Sequence, residues 1–197
     1  MNSCITRRRA DESRDCPTPR RRFQDIDSIV DDYIARYRPS ARQEVAYFRS
    51  RPDLRSAIRA AALALTKHGD KHEHQWRIPP ATLKTWRTAL ARHLSSIQPC
   101  KNFEALMVLA ERTAKGIGGI GELTIYDTAH RIGAYLRLAP ENVYLHAGTR
   151  QGAKALGFKG SWASIPRREF PKALSRLRAN EIEDCLCIYK NNLRSIP

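Results

Sequence analysis

From Phe23 onward the apolar residues of this chain recur at spacings of three and four, and they never alternate with period two for long. A chain patterned in this way buries helix faces against helix faces, so the spacing predicts an all-α fold with no sheet. Ile26, Ile29, Val30, Tyr33, Ile34 and Tyr37 form a first stripe, which Pro39 is expected to stop. A shorter segment follows the "PSARQ" break, around Val45, Tyr47 and Phe48. Arg51-Pro52-Asp53 then opens the Ala-rich run "LRSAIRAAALALTKHG", with Gly69 placed as its C-cap. Beyond the polar loop "DKHEHQWRIPP", Pro79 and Pro80 suit the first turn of a helix through "ATLKTWRTALARHLSSI". The segment "NFEALMVLAERTAKG" reads as a further helix, capped at Asn102 and closed at Gly116.

The length, 197 residues, suits one domain with an appendage. Residues 1–22 hold two Arg triplets and almost nothing apolar, which predicts a disordered basic arm ahead of a single helical domain over 23–197. Lys and Arg outnumber Asp and Glu 35 to 20, a formal charge of +15 that points to a polyanionic partner, nucleic acid before anionic membrane, or to solubility alone. Both ends are richer in base than the middle: seven arginines face three acids in residues 1–22, and ten bases face four acids in residues 150–197. Five cysteines, Cys4, Cys16, Cys100, Cys185 and Cys187, are an odd number without metal-site spacing, which suits a reducing cytosol. No apolar run reaches the roughly 20 residues that span a bilayer, and the N-terminus lacks a signal-like stretch. The expectation is a cytoplasmic protein without a membrane partner, and the Ala- and Arg-rich composition is of a bacterial kind.

Between two amphipathic stretches lies "GIGGIGELT", residues 116–124. Glycine permits positive φ and leaves backbone N–H groups uncovered, while Ile120 is placed to point inward and pin both helices. Uncovered amides beside a helix N-terminus form an anion site. The apolar-x-Gly-apolar-Gly turn, followed three residues later by Thr124, resembles the helix-hairpin-helix motif, here over about residues 102–137. The resemblance implies that Gly119, Ile120 and Gly121 hold one DNA strand by its phosphate backbone without reading sequence. It also implies a monovalent cation on the hairpin carbonyls and a capping or supporting role for Thr124. Lys115 and Arg150 join these as expected backbone contacts. Glu122 suits the dipole of the second helix but would repel a phosphate held at the same turn.

The segment "NVYLHAGTRQGAKALG" extends the likeness, since Val143, His146 and Leu156-Gly157 stand in an order similar to the catalytic segment of helix-hairpin-helix DNA glycosylases. It departs from that pattern at the positions that carry chemistry. Tyr144 stands where the family's aspartate would be and Leu123 where bifunctional members carry a lysine; the four-cysteine iron–sulfur loop is absent, and the segment is two residues longer before its Leu-Gly. Without the carboxylate an oxocarbenium-like transition state loses its main electrostatic partner. The resemblance thus implies a catalytically degenerate relative that binds DNA.

Other constellations are weighed on their own chemistry. His68, His72 and His74 with Asp70 and Glu73 offer metal-type ligands, but one loop without a helical ligand pair seldom closes a site, so no metal and no cofactor are expected. Asp127, four before Arg131 and three before His130, reads as a helix-surface ion pair and acts as a general base only if it lines a cleft. Tyr144 and His146 belong to a core tyrosine and a helix entry capped by Thr149, or else to the wall of an active site. Cys185 and Cys187 point to different faces of a helix beginning after Asn180, and Ser164 is placed to cap a helix displaying Arg167, Arg168, Lys172, Arg176 and Arg178. The leading expectation is a DNA-backbone binder. A DNA-processing enzyme (glycosylase, lyase or nuclease) using Tyr144, His146 or Asp127 is the alternative, and a protein-interaction module is the third. A carboxylate-lined cleft that joins the hairpin to the Tyr144 segment favours the enzyme.

Overall fold

The computed structural model describes Pro19 and residues 21–196, so the arm expected over 1–22 lies outside the described residues except for residues 19, 21 and 22. Asp25 accepts the Ser28 amide at 2.8 Å and opens α1, Ile26–Arg36. Pro39 ends that helix from within the first turn of the next, α2, Arg38–Arg49, where its missing N–H is no loss. The expected break at "PSARQ" is therefore helical. Asp53 caps α3, Leu54–Ala62, by accepting from Ser56 N–H at 2.7 Å. This helix stops well short of Gly69. The chain turns through Ala64, at φ 53°, and an antiparallel bridge joins Leu65 to Lys71. The bonds Thr66 N–H to Asp70 O and His72 N–H to Ala64 O, both 2.8 Å, replace the continuing helical ladder. Gly69, at φ +85°, serves the tip of this turn rather than a C-cap.

A 3₁₀ turn over Glu73–Gln75 leads to α4, Pro80–Arg92, and the short α5, Leu94–Ile97. Asn102 accepts from Ala105 N–H at 2.8 Å and opens α6, Phe103–Ala114; beyond the glycine turn comes α7, Glu122–Leu136. The remainder is β1, Asn142–Tyr144; α8, Ala147–Ala155; β2, Ser164–Pro166; α9, Ala179–Ile188; and α10, Lys190–Leu193. The fold is all-α, with one antiparallel two-stranded ribbon in which Val143 faces Ile165. The expectation of no sheet fails for this ribbon, because strands of three residues are too short to display alternation. Ser164 lies in β2 and caps no helix. Pro166 and Pro171 bias their neighbours toward extended backbone, so "RREFPKALSR" forms only the 3₁₀ turns Arg167–Glu169 and Lys172–Arg176.

Two apolar clusters hold these elements. The first lies among α2 to α7 and includes Phe48, Ile58, Trp86, Phe103, Leu106 and Ile132, with α7 packed against α2, α3 and α6. Trp86 is fully buried, and its indole N–H donates to Thr128 Oγ1 at 3.1 Å. The second joins α1 to the ribbon and α8–α10 through Ile29, Tyr33, Val143, Ile165, Leu186 and Tyr189. Here α8 and α9 approach closely because α8 presents glycine. A Cβ at Gly152 would lie 2.3 Å from Leu186 O, and one at Gly148 would lie 2.6 Å from Cys187 Sγ. Cys185 is buried in this cluster. Among the described residues no helix is long and apolar enough to cross a membrane.

Candidate functional site

The turn between α6 and α7 directs both of its isoleucines, Ile117 and Ile120, toward the first cluster. Ile120 is buried in the first cluster, whereas Gly118, Gly119 and Gly121 are exposed. Gly116 and Gly119, at φ +83° and +86°, bend the chain where a side chain would be strained. Ile117 N–H bonds Ala114 O at 3.0 Å and Ile120 N–H bonds Ile117 O at 3.3 Å. The amides of Gly118, Gly119, Gly121 and Glu122 have no hydrogen-bond partner among the described residues, and Gly121, the N-cap of α7, offers no side chain to cover them. Glu122 is drawn to α8, where its Oε2 accepts from Arg150 NH2 at 2.8 Å, so its carboxylate is already matched by a cation. Lys115 is exposed beside the turn. Thr124 is buried, and Gly121 rather than Thr124 stands at the N-cap of α7.

One face of α7 continues from this turn into a cleft of about 290 Å³ between the two clusters. Tyr126, Asp127, His130 and Arg131 form that wall. Glu44 of α2 and the segment His72–His74 form a second, and Asn180, Glu183 and Asp184 of α9 a third. Asp127 is mostly shielded rather than paired on an open helix surface. Its Oδ2 accepts from Gln75 Nε2 at 2.6 Å, with His74 Nδ1 at 3.7 Å and Arg131 NH2 at 3.8 Å. Arg131, almost wholly buried, also reaches Glu44 Oε1 at 3.0 Å and Gln75 Oε1 at 3.4 Å.

These neighbours set the protonation states. Burial alone would raise the Asp127 carboxyl, but His74, Arg131 and Gln75 outweigh it and hold Asp127 well below the usual carboxylate range. The Asp127 carboxylate beside it pushes His74 up to about 9 against the effect of burial. Burial and the Arg131 charge push His72 down, and its Nε2, 3.5 Å from Glu44 Oε1, makes no hydrogen bond. Burial likewise pushes His130 down; its ring lies parallel to that of Tyr126, with centroids 5.9 Å apart. Asp184 is raised well above the usual range by burial and by the Glu183 charge beside it, and accepts from Tyr33 OH at 2.9 Å. The cleft therefore brings together one carboxyl held below its ordinary range, one raised above it, and imidazoles shifted in opposite directions, a set suited to proton transfer.

Of the catalytic candidates named from sequence, only Asp127 lines the cleft. Tyr144 stands behind Tyr126 and Phe103, at ring distances of 5.4 and 5.5 Å, and burial pushes its hydroxyl up to about 12. His146 is buried behind Glu183, with Nε2 2.5 Å from Glu183 Oε1; burial opposes its protonation, and the Glu183 bond overcomes this and raises it. His146, not Thr149, occupies the N-cap position of α8, and the Thr149 hydroxyl accepts from His146 N–H at 2.6 Å. Sequence reasoning passed over Glu44, Gln75, Asn180, Glu183 and Asp184. A signal was available for α9, since three of the four acids in the basic residues 150–197 fall in Glu181–Asp184, with Asn180, Glu183 and Asp184 at helical spacing. Among the described residues, no group of three or more His, Cys, Asp and Glu side chains is arranged to hold a metal ion. Compared with protein-family models, with curated proteins and with solved structures, the chain matches none.

Proposed function

We propose that this protein binds DNA through the phosphate backbone, held at the turn between α6 and α7. The observation that carries this reading is the run of uncovered amides at Gly118, Gly119, Gly121 and Glu122, grouped at the positive end of a 15-residue helix in a chain of charge +15. Arg150 supports it by holding the Glu122 carboxylate, which removes the nearest repulsion. Lys115, exposed beside the turn, adds the positive charge there, Arg150 acting through Glu122, and a monovalent cation on the turn carbonyls belongs to the same proposal. The test is binding to a short labelled duplex across a salt series. A Cβ at Gly121 meets nothing within 4 Å and φ there is −97°, so Gly121→Val keeps the fold while covering the amides. The wild type should show a steep salt slope, and the variant roughly tenfold weaker binding at equal helicity. Variant-independent binding would mean that the charge acts generally and the turn is structural.

The cleft favours a second reading, a DNA-processing enzyme whose reactive groups are Asp127, His130 and Asp184 rather than Tyr144 and His146. Asp127 lies six residues along α7 from Gly121, ~9 Å of helical rise, so a strand held at the turn brings its neighbouring sugars and bases to the mouth of the cleft. Duplexes carrying a damaged base or an abasic site, resolved for products after incubation, separate the readings. The enzyme reading expects turnover that Asp184→Asn lowers at least a hundredfold with binding unchanged. No product from any of these substrates leaves the binding reading alone.

A further inference from the structure

The segment that joins the cleft to the turn carries an exposed aromatic residue that neither site uses. Trp76 is 63% exposed, and its indole N–H makes no hydrogen bond among the described residues. The chain's other tryptophans are accounted for: Trp86 is buried in the first cluster, and the Trp162 indole donates to Lys159 O at 2.8 Å. Trp76 is nevertheless held firmly. Its backbone N–H donates to Glu73 O at 3.2 Å, and Lys71 Nζ donates to the carbonyls of Trp76 and Ile78 at 3.1 and 2.8 Å. The preceding Gln75 is buried and tied to Asp127. The Arg77 guanidinium lies over the indole, 5.4 Å from the ring centroid.

Its position links the two sites. Glu73 and His74, just before it, line the cleft. Thr82, six residues after it in the first turn of α4, packs against the glycine turn, where a Cβ built on Gly119 would lie 3.5 Å from Thr82 Cγ2. Along the chain Trp76 thus lies between a wall of the cleft and a residue that packs on the turn, at most ~25–30 Å from the turn amides, counting six extended residues and the Thr82 side chain. An indole that projects from an anchored backbone, with the Arg77 guanidinium over its ring, suits a flat partner with a negatively charged attachment. In a duplex, neighbouring base pairs cover the base faces, whereas in a single strand those faces are free to stack on an aromatic ring.

We propose that Trp76 is a stacking platform for an unpaired base of single-stranded DNA whose backbone is held at the glycine turn. This rests on the backbone-binding reading above and names the DNA form that it favours. The Arg77 guanidinium braces the indole and meets the adjoining phosphate, while the free indole face takes the base. No sequence preference follows, because every base offers a π-face.

The experiment compares the full chain with its Trp76→Ala, Trp76→Phe and Trp162→Ala variants on a labelled single-stranded oligonucleotide and on the duplex of the same sequence at matched salt, with Gly121→Val alongside. Trp76→Ala should weaken single-strand binding roughly tenfold and duplex binding less than twofold, Trp76→Phe should restore most of the loss, and Trp162→Ala should change neither. Since Trp76 is exposed, folding of the alanine variant is checked by its helical circular dichroism. Equal losses on both DNA forms, or none on the single strand, would overturn the stacking platform, and if Gly121→Val still weakens binding the backbone reading survives. A wild type that binds neither form, or a Gly121→Val variant that binds both as tightly as wild type, removes the backbone reading and this inference with it.

Discussion

At the scale of single residues, the pair Asp127 and His74 shows how a carboxylate in this cleft is kept ionised. His74 is half exposed, yet the neighbouring carboxylate raises it from 6.5 to about 9. A group whose proton is held more tightly in the folded state stabilises fully below its ordinary value near 6.5, and loses that contribution as pH rises through about 9. Asp127 has the opposite sign: it is depressed in the folded state, so it stabilises above the ordinary carboxylate value of 3.8 and loses this as pH falls. Both contributions are complete only between these two ordinary values. Asp127→Asn keeps the size of the side chain and removes the charge. The His74 titration, followed through its ring proton resonances, should then fall from about 9 to 6.5 or below, and the stability lost between pH 6.5 and 9 should become smaller. A midpoint unmoved by the substitution would show that Asp127 does not govern His74.

At the scale of elements, what the sequence discloses depends on whether the deciding interaction is local. The helices α4, α6 and α7 are legible because Pro80, Asn102 and the glycine turn mark their starts within a residue or two of an amphipathic run. Pro39 misleads because a proline after a stripe signals a stop and a first turn equally well, and only the packing of α2 on α7 makes it a start. The Ala-rich run misleads at Gly69 because the Leu65–Lys71 bridge is a pairing across a loop, invisible to a helical period. The same bridge carries His72 back to the cleft, so missing it hides a wall of the site as well as the end of a helix. Glu44 and Asp184 lie far apart in sequence, and each reads locally as an ordinary helix charge; burial between the clusters is what perturbs Asp184, and that is set by tertiary structure. The glycine turn is the converse case, since Ile120 inside and the glycines outside follow from adjacent residues alone.

At the scale of the whole molecule, the cleft exists because two apolar clusters meet along a polar seam, and the seam needs its own fastening. Arg38, the first residue of α2, whose other end packs Val45, Tyr47 and Phe48 into the first cluster, reaches Glu181 near the start of α9 in the second: Nε lies 2.9 Å from Oε1, and NH2 lies 3.0 Å from Oε2. Arg38 NH2 also donates to Arg176 O at 2.9 Å. Glu181 is 4% exposed, and it additionally accepts the Arg178 amide at 2.9 Å, so its charge is committed to this place. Arg42, 3.7 Å from the same carboxylate, is too exposed to substitute for the buried fork. Arg38→Ala leaves an ionised carboxylate without its main partner in a buried position, a change that destabilises by about 3 kcal/mol, whereas replacing both partners by methionine removes the stranded charge and recovers most of that loss. Denaturant unfolding of the two variants distinguishes a fastening from a bystander pair. The single variant should unfold at lower denaturant with α7 and α9 released together, as read from the ring resonances of His130 on α7 and of His146, which is bonded to Glu183 of α9, and the double variant should return toward wild type. A single variant as stable as wild type would mean that the clusters hold the cleft closed by apolar contact alone.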